Sequence, residues 1–263
     1  TPHMATPSTL AIGMHGFDRR RFLFGTAAAL AGCGAPLKRF PFDYDRPASP
    51  GPGLDIVFFG VACFVLQWRG TAVLIDPFFT VLPVLQVGFG KAASDPAQVD
   101  PHLPLLTNVE SVLVGHAHYD HVLDLPYVAP HLRPNATVFG SQTLTHTLAP
   151  LDLPIQLHSV NNAAASPDQM GQWLSANQGR VRVMPIRSGH PNNYAFIHMW
   201  TQRLTEDRST APSRASHFQE GDTFAFLVDL LDDDGLTIVH RIYVQTSSRG
   251  FPDGFFPKAV LDE

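Results

Sequence analysis

The stretch of sequence that decides the fold is Val112-Leu113-Val114-Gly115-His116-Ala117-His118-Tyr119-Asp120-His121. Its apolar first part is typical of a buried strand, and four potential metal ligands follow at once. In an extended segment, alternate side chains point to the same side. His116, His118 and Asp120 are therefore expected to face one volume. His121 has the opposite parity, and the turn into a following helix can bring it to the same place.

These residue types favour a metal site over an ordinary loop. Imidazole and carboxylate groups are ligands that zinc accepts, and a catalytic zinc ion keeps one position open for water. The four side chains suit either a single zinc ion or a pair of ions about 3.5–4 Å apart. A lone histidine is more often a surface or core residue, but this spacing directly after an apolar strand is far rarer. The sequence therefore predicts metal binding by His116, His118, Asp120 and His121.

The remaining sequence predicts strands that first pair as hairpins and then alternate with helices. Apolar and β-branched runs indicate strands at 54–59, 63–68, 72–75, 109–114, 137–140, 155–158 and 179–186. Helices are expected over 124–132, 141–148 and 166–176, the last with a serine cap and a proline at its first position. A late hairpin is expected from strands 223–229 and 237–244. The long connection 78–102 is interpreted as either a lid over a substrate or a surface loop.

Residues 54–250 resemble the metallo-β-lactamase superfamily. Three segments carry the resemblance: the histidine motif, Leu74-Ile75-Asp76-Pro77, and the strand that ends in Ser188-Gly189-His190. In the superfamily, the acid of the second segment, here Asp76, supports the metal-binding loops. The resemblance implies an α+β fold, a four-layer αββα sandwich with metals between the sheet edges. The segment Gly60-Val61-Ala62-Cys63-Phe64 and the tyrosine of the motif are most similar to the branch of lactonases and lipid phosphodiesterases.

The resemblance also implies a ligand set and an activity. His116, His118 and His190 would hold the first zinc ion, and Asp120 and His121 would contribute to the second. A metal-bound water would then cleave an ester, lactone, amide or phosphodiester bond in a small or lipid-like substrate. Asp120 would orient this water and take its proton. Iron and manganese remain alternatives to zinc.

One motif departs from the superfamily pattern. Where a bridging aspartate is expected after the last strand, the sequence has Thr246 or Ser247, and a hydroxyl group is a poor zinc ligand. Asp222 precedes the hairpin and is interpreted as a turn residue, while Asp229 is interpreted as part of a solvated face. The second metal ion should therefore be weak or absent, which motivates an alternative function: a degenerate metal-binding lipoprotein without turnover.

The chain stops at Glu263, soon after this strand, without the further strand, helix and last histidine ligand that the superfamily usually has. Two expectations stay open: that the sequence is a fragment lacking the C-terminal part of the fold, or that the protein has lost the second-metal half.

The first forty residues are typical of an N-terminal export signal. Arg19-Arg20-Arg21-Phe22-Leu23 opens an apolar run, and Leu30-Ala31-Gly32-Cys33 follows it. The arginines resemble a twin-arginine signal, and the second segment resembles a lipoprotein cleavage site. We predict a signal peptide at 1–32, a tether at 33–53 and the domain at 54–263. The protein would be exported and held at the membrane by lipidated Cys33, facing the periplasm or cell exterior. A buried amphipathic N-terminal helix is the alternative.

The composition argues against a nucleic-acid-binding protein. The 263 residues carry a formal net charge of −5, and no basic patch stands out past residue 40. A nucleic-acid partner is therefore not expected, which argues against an RNA-processing nuclease of the same superfamily. With Cys33 lipidated, Cys63 would have no disulfide partner and is expected to be a buried core thiol. His146, His158 and His198 are given no role, and the oligomeric state is left open.

Overall fold

The computed structural model describes residues 9–10, 53–176, 179–192 and 198–247. The predicted tether before Gly53, Cys33 and most of the predicted signal peptide lie outside these ranges. The short strand β1 (Thr9–Leu10) pairs in parallel with residues 241–242 near the end of the described chain. No helix within the described residues is both long and apolar enough to cross a membrane.

Six strands form the first sheet: β2 (Asp55–Gly60), β3 (Cys63–Trp68), β4 (Thr71–Ile75), β5 (Val109–Leu113), β6 (Thr137–Gly140) and β7 (Gln156–Ser159). They lie side by side in chain order. The first three are antiparallel, and β4 to β7 are parallel. The early hairpins predicted from the sequence are confirmed. The carboxyl ends of β4 and β5 meet at one edge, where Asp76 and the histidine motif follow them.

The second sheet has the order β1-β11-β10-β9-β8 and contains β8 (Leu174–Ser175), β9 (Val181–Ser188), β10 (Thr223–Leu231) and β11 (Ile238–Val244). The antiparallel pairing of β10 with β11 confirms the predicted late hairpin. β9 pairs with β10 over its whole length, so that its carboxyl end, which precedes His190, lies beside the start of β10.

The first helix, α1 (Val84–Phe89), buries none of its residues. The short helices that follow it cover the outer face of the first sheet: α2 (Pro96–Val99), α3 (Tyr119–Val122), α4 (Leu125–Val128) and α5 (Gln142–Leu148). Leu125 and Leu144 pack there against residues such as Leu74. The other face of the sheet packs on the second sheet, for example through Ile75 and Phe226. Because successive side chains alternate between two apolar layers, all five residues of β4 are buried. The predicted fold class, an α+β metallo-β-lactamase sandwich, is confirmed.

The helix predicted over 166–176 is wrong. Its backbone groups are engaged elsewhere: Ser166 N–H donates to Gln169 O at 2.8 Å, and Gln172 N–H donates to Ala163 O at 2.8 Å. The segment then turns and ends in β8 at the edge of the second sheet. Among the described residues, this irregular segment covers the outer face of that sheet, where Trp173 packs on Met184. Pairing with a sheet edge therefore overrides local helix signals.

Asp229 does not lie on a solvated face, as the sequence suggested. It is fully buried on β10, and its carboxylate accepts hydrogen bonds from Arg182 Nε at 2.8 Å and Arg241 Nε at 2.6 Å. Both arginines are its direct neighbours on the adjacent strands. The expectation failed because an acid in the middle of three strands can be neutralised by cross-strand partners that are far away in sequence. Cys63 is buried and without a disulfide, as predicted.

The connection between β4 and β5 contains α1 and α2 and is fixed at its start. The buried carboxylate of Asp124 accepts hydrogen bonds from Phe79 N–H at 2.6 Å and from Thr80 N–H at 2.7 Å. Beyond this point α1 buries none of its residues, and Val84, Leu85 and Phe89 are exposed. The start of the connection, at Phe79 and Thr80, is therefore held close to the histidine motif, whereas the helix that follows is apolar and exposed.

Candidate metal centre

The loop that carries the histidine motif is held by both sheets. Gly115 N–H donates to Asp76 Oδ1 at 2.8 Å, and Ala117 N–H donates to Glu220 O at 3.0 Å. Phe224 N–H donates in turn to Gly115 O at 2.7 Å. A Cβ atom on Gly115 would collide with Thr246 Oγ1, so only glycine allows this approach. The motif therefore sits in a loop whose backbone is fixed from two sides.

Three of the predicted ligands come together at this loop. The nearest ligand atoms of His116, His118 and His190 all lie within 4.8 Å of one another. The ring centroids are 4.9 Å apart for His116 and His118, and 4.5 Å apart for His116 and His190. The loop after β5 and the end of β9 thus supply a three-imidazole group, which is a ligand set that zinc accepts.

His116 is the central member of this group. It is 1% exposed, and both of its ring nitrogens are buried without a hydrogen-bond partner among the described residues. Burial, with a smaller contribution from the neighbouring histidines, lowers its pKa well below the ordinary value. A neutral imidazole without hydrogen bonds in a buried position is costly, and a metal ion would satisfy its lone pair.

His190 and His118 are also prepared as neutral ligands. Burial and the nearby His118 lower the pKa of His190 to about 4. His190 Nδ1 lies 2.5 Å from the carbonyl oxygen of Pro191; because a carbonyl can only accept, Nδ1 donates and Nε2 is left for a metal ion. Burial lowers the pKa of His118, although the Asp120 carboxylate opposes this shift.

A second group consists of His116, Asp120 and His121, whose ligand atoms also lie within 4.8 Å of one another. His121 Nδ1 forms a hydrogen bond of 2.7 Å with Asp76 Oδ2, and its Nε2 lies 3.9 Å from Asp120 Oδ2. Burial lowers the pKa of His121, but the two carboxylates outweigh it and raise the pKa to about 8. Asp76 therefore bonds both the motif loop and a predicted ligand, the supporting role that the resemblance implied.

The two hydroxyl residues after β11 lie beside the centre and bring no carboxylate to it. Thr246 Oγ1 is buried close to Gly115 and has no hydrogen-bond partner among the described residues. Ser247 Oγ donates to Gly189 O at 2.5 Å. Asp222 is paired with Arg203 at 2.9 Å and with Asn161 at 2.7 Å, outside the centre.

The sequence did not predict a third group, which consists of His190, His198 and Glu220. The ring of His198 stacks on that of His190 at 5.1 Å and 10°, and its Nε2 contacts Glu220 Oε2. Burial raises the pKa of Glu220, and His198 opposes the shift. Glu220 is brought here by its backbone bonds to Ala117 and Trp200. No local pattern joins these residues, since they lie in separate segments.

Aromatic side chains lie next to the motif. The ring of Tyr119 is 6.1 Å from that of Trp200 and 6.0 Å from that of Phe78, and Trp200 is 6.3 Å from His118. Tyr119 and Trp200 are partly exposed. They give the approach to the histidines an apolar, aromatic character.

Comparison with known proteins agrees with this geometry. Residues 71–238 match the family described as Beta-lactamase superfamily domain. The chain belongs to this superfamily. Over 131 residues it is 31% identical to a protein of Cupriavidus taiwanensis named as a metal-dependent hydrolase, covering 48% of this chain and 41% of the relative. Over 101 residues it is 32% identical to the endoribonuclease ysh1 of Schizosaccharomyces pombe, and this alignment covers 35% of this chain and 12% of ysh1.

Comparison with solved structures matches the chain to one from Veillonella parvula, described as a possible metal-dependent hydrolase. It is 19% identical, with a TM-score of 0.38, and the alignment covers 65% of this chain and 56% of that one. The chain therefore matches about half of this structure's length, and less than half of each of the two relatives.

Proposed function

We propose that the protein is a metal-dependent hydrolase of the metallo-β-lactamase superfamily. The observation that carries the proposal is His116, whose two buried ring nitrogens have no partner among the described residues and which lies between two other neutral imidazoles. His116, His118 and His190 would hold the ion. Three nitrogen ligands with one open position favour zinc, with iron and manganese as alternatives. When bound, such an ion supplies Lewis acidity and lowers the pKa of water.

Asp120 is proposed as the proton acceptor. Its side chain is 36% exposed, in contrast to the buried imidazoles, and its Oδ2 lies 3.9 Å from His121 Nε2. A carboxylate in this position can orient an attacking water and remove its proton. Asp76 and His121 hold the local geometry, since Asp76 fixes both His121 and the backbone of the motif loop.

The bond to be cleaved is proposed to be an ester, lactone, amide or phosphodiester bond in a small or lipid-like substrate. The aromatic pair Tyr119 and Trp200 beside the histidines supports an apolar substrate group. So does the exposed helix α1, because its supporting loop is bonded to Asp124, close behind the motif. These features favour the lactonase and lipid-phosphodiesterase branch of the superfamily.

A location at a membrane surface is part of the same proposal. The basis is the arginine and cysteine pattern of residues 19–33, which predicts export by the twin-arginine route and a lipid on Cys33. Mass spectrometry of the mature N-terminus tests it directly. A diacylglycerol-modified Cys33 is expected, and an unmodified chain that retains residues 1–32 would refute the anchor.

The experiment that tests the activity is a screen of the purified protein. Metal-free protein and protein reloaded with zinc, iron or manganese are offered lactones, phosphodiesters, β-lactams and a short RNA. We expect hydrolysis of one substrate class by the reloaded protein alone. Turnover that is unaffected by chelation would contradict the proposal.

The alternative is a metal-binding lipoprotein without turnover, and Thr246 is the observation that favours it. The resemblance leads to the expectation of a carboxylate at Thr246 or Ser247, and Thr246 instead brings a hydroxyl group close to the motif loop. The same screen separates the two functions. Retained metal without hydrolysis of any substrate would favour the alternative.

A further inference from the structure

We propose that His198 and Glu220 bind a second metal ion next to His190, in a group that does not include Asp120. This inference rests on the proposed function, because it assumes that His116, His118 and His190 hold the first ion. It moves the second ion away from Asp120 and His121, where the superfamily resemblance would put it.

The positions of His198 and Glu220 beside His190 support a bound cation. The nearest ligand atoms of His190, His198 and Glu220 lie within 4.8 Å of one another. Glu220 Oε2 is 4.0 Å from His190 Nδ1 and contacts His198 Nε2. Since Nδ1 of His190 donates to Pro191, the new ion would have His198 and Glu220 as its own protein ligands, and water or substrate would complete its coordination.

Burial supports the same assignment. Glu220 is 8% exposed, and its Oε2 and His198 Nε2 are both buried atoms that lack a hydrogen bond of acceptable geometry among the described residues, although they touch. Among those residues, only histidines form an ion pair with the Glu220 carboxylate. A buried carboxylate needs a compensating charge, and a divalent ion bound by both atoms, which would move apart to admit it, would supply that charge.

The group formed by Asp120 and His121 is a less favourable site for the second ion. The Asp120 side chain is 36% exposed and therefore well solvated without a metal, whereas that of Glu220 is 11% exposed. His121 is already bonded to the Asp76 carboxylate, and Thr246 adds no negative charge there. The desolvated carboxylate gains more from a cation than the exposed one.

A structural ion pair is the competing explanation, and the chain contains a more exposed example of one. His146 Nδ1 lies 2.7 Å from Asp207 Oδ1, and this pair belongs to no metal-ligating group of the described residues. If His198 and Glu220 were only such a pair, their loss would change stability but not metal uptake.

Cobalt titration of the metal-free full chain distinguishes these explanations, with bound cobalt counted by elemental analysis and followed by its visible absorption. We expect the native protein to take up two equivalents. Glu220→Gln should keep the first equivalent and weaken the second by about tenfold or more. Asp120→Asn and the control His146→Gln should retain both. Because Gln keeps the backbone bonds of Glu220, the variant should fold; His198→Ala provides an independent removal of the second ligand.

Three results would overturn the inference. These are uptake of one equivalent by the native protein, an unchanged second equivalent in both Glu220→Gln and His198→Ala, and loss of the second equivalent in Asp120→Asn alone. Uptake of no cobalt at all would instead refute the proposed function itself.

Discussion

The two flanks of His116 are built in different ways. The motif flank (Asp76, Asp120 and His121) combines one strand end with consecutive residues of a single motif. The assembled flank (His190, His198 and Glu220) comes from three separate segments, and the pairing of β9 with β10 within the second sheet brings His190 close to Glu220. The sequence predicted the role of each residue on the motif flank, but only His190 on the assembled flank. Ligands that are contiguous in sequence can be recognised before folding, and ligands that converge in space cannot.

The flanks also differ in charge. On the motif flank, two carboxylates outweigh burial and raise the pKa of His121 to about 8. On the assembled flank, burial lowers the pKa of His190 to about 4, even with Glu220 close by. In the metal-free protein at neutral pH, His121 is therefore largely protonated and His190 is neutral. An ion can bind His190 without displacing a proton, whereas binding at His121 must displace one.

The largest expected effect concerns Asp120. Asp120→Asn keeps the size of the side chain and removes its capacity to accept a proton, so kcat should fall by about 10²–10⁴-fold. The three histidines should still hold the first ion. Steady-state kinetics on the substrate class found in the screen, together with the metal content, check this expectation. A variant with native kcat would remove Asp120 from catalysis.

A smaller loss is expected when the support of the motif flank is weakened. Asp76→Asn keeps an acceptor for Gly115 N–H and replaces the charged partner of His121, so metal affinity should fall by about 10–100-fold. Asp124→Asn is the matched control, since Asp124 is equally buried and bonds Phe79 and Thr80 but no predicted ligand. Equal losses of affinity in the two variants would mean that Asp76 acts only through general stability.

The junction between the flanks can be tested at Gly115. Gly115→Ala places a methyl group against Thr246 Oγ1, and such overpacking should reduce the free energy of unfolding by about 1–3 kcal/mol. Urea denaturation measures the loss. Adding Thr246→Ala should restore part of it, because the colliding oxygen is removed. Additive losses in the double variant would disprove the contact.

The smallest expected effect is the pH dependence of the metal-free protein. His116 and His190 have a lower pKa in the folded state than the ordinary 6.5, so the unfolded state takes up more protons and stability should fall as the pH drops below 6.5. The raised pKa of His121 has the opposite sign, and its contribution is lost as the pH rises from 6.5 through about 8.

The urea concentration at the midpoint of unfolding should therefore be highest near pH 6.5 and should fall toward both lower and higher pH. His190→Gln should flatten the acid side and leave the alkaline side unchanged. If the urea midpoint of this variant still fell as steeply below pH 6.5 as that of the native protein, the lowered pKa of His190 would be contradicted.

The same contrast explains how far the sequence could predict the molecule. Strand runs, the late hairpin and the histidine motif are local patterns. The structure confirms the strands and the hairpin, and it brings the side chains of the motif together. The helix expected over 166–176 failed because that segment ends in β8, which pairs with β9. Asp229 was misread because its two arginine partners lie on neighbouring strands. His198 and Glu220 carry no local signal, since the fold alone brings them to His190.

The most direct test of the central claim is the metal content of the purified protein and two double variants, measured by elemental analysis. The native protein should contain at least one zinc, iron or manganese ion per chain, and His116→Ala/His118→Ala should contain almost none. His146→Ala/His158→Ala also removes two histidines, but neither belongs to a metal-ligating group of the described residues, and it should retain the native content. A native protein without these metals, or a His116→Ala/His118→Ala variant that keeps them all, would contradict the account.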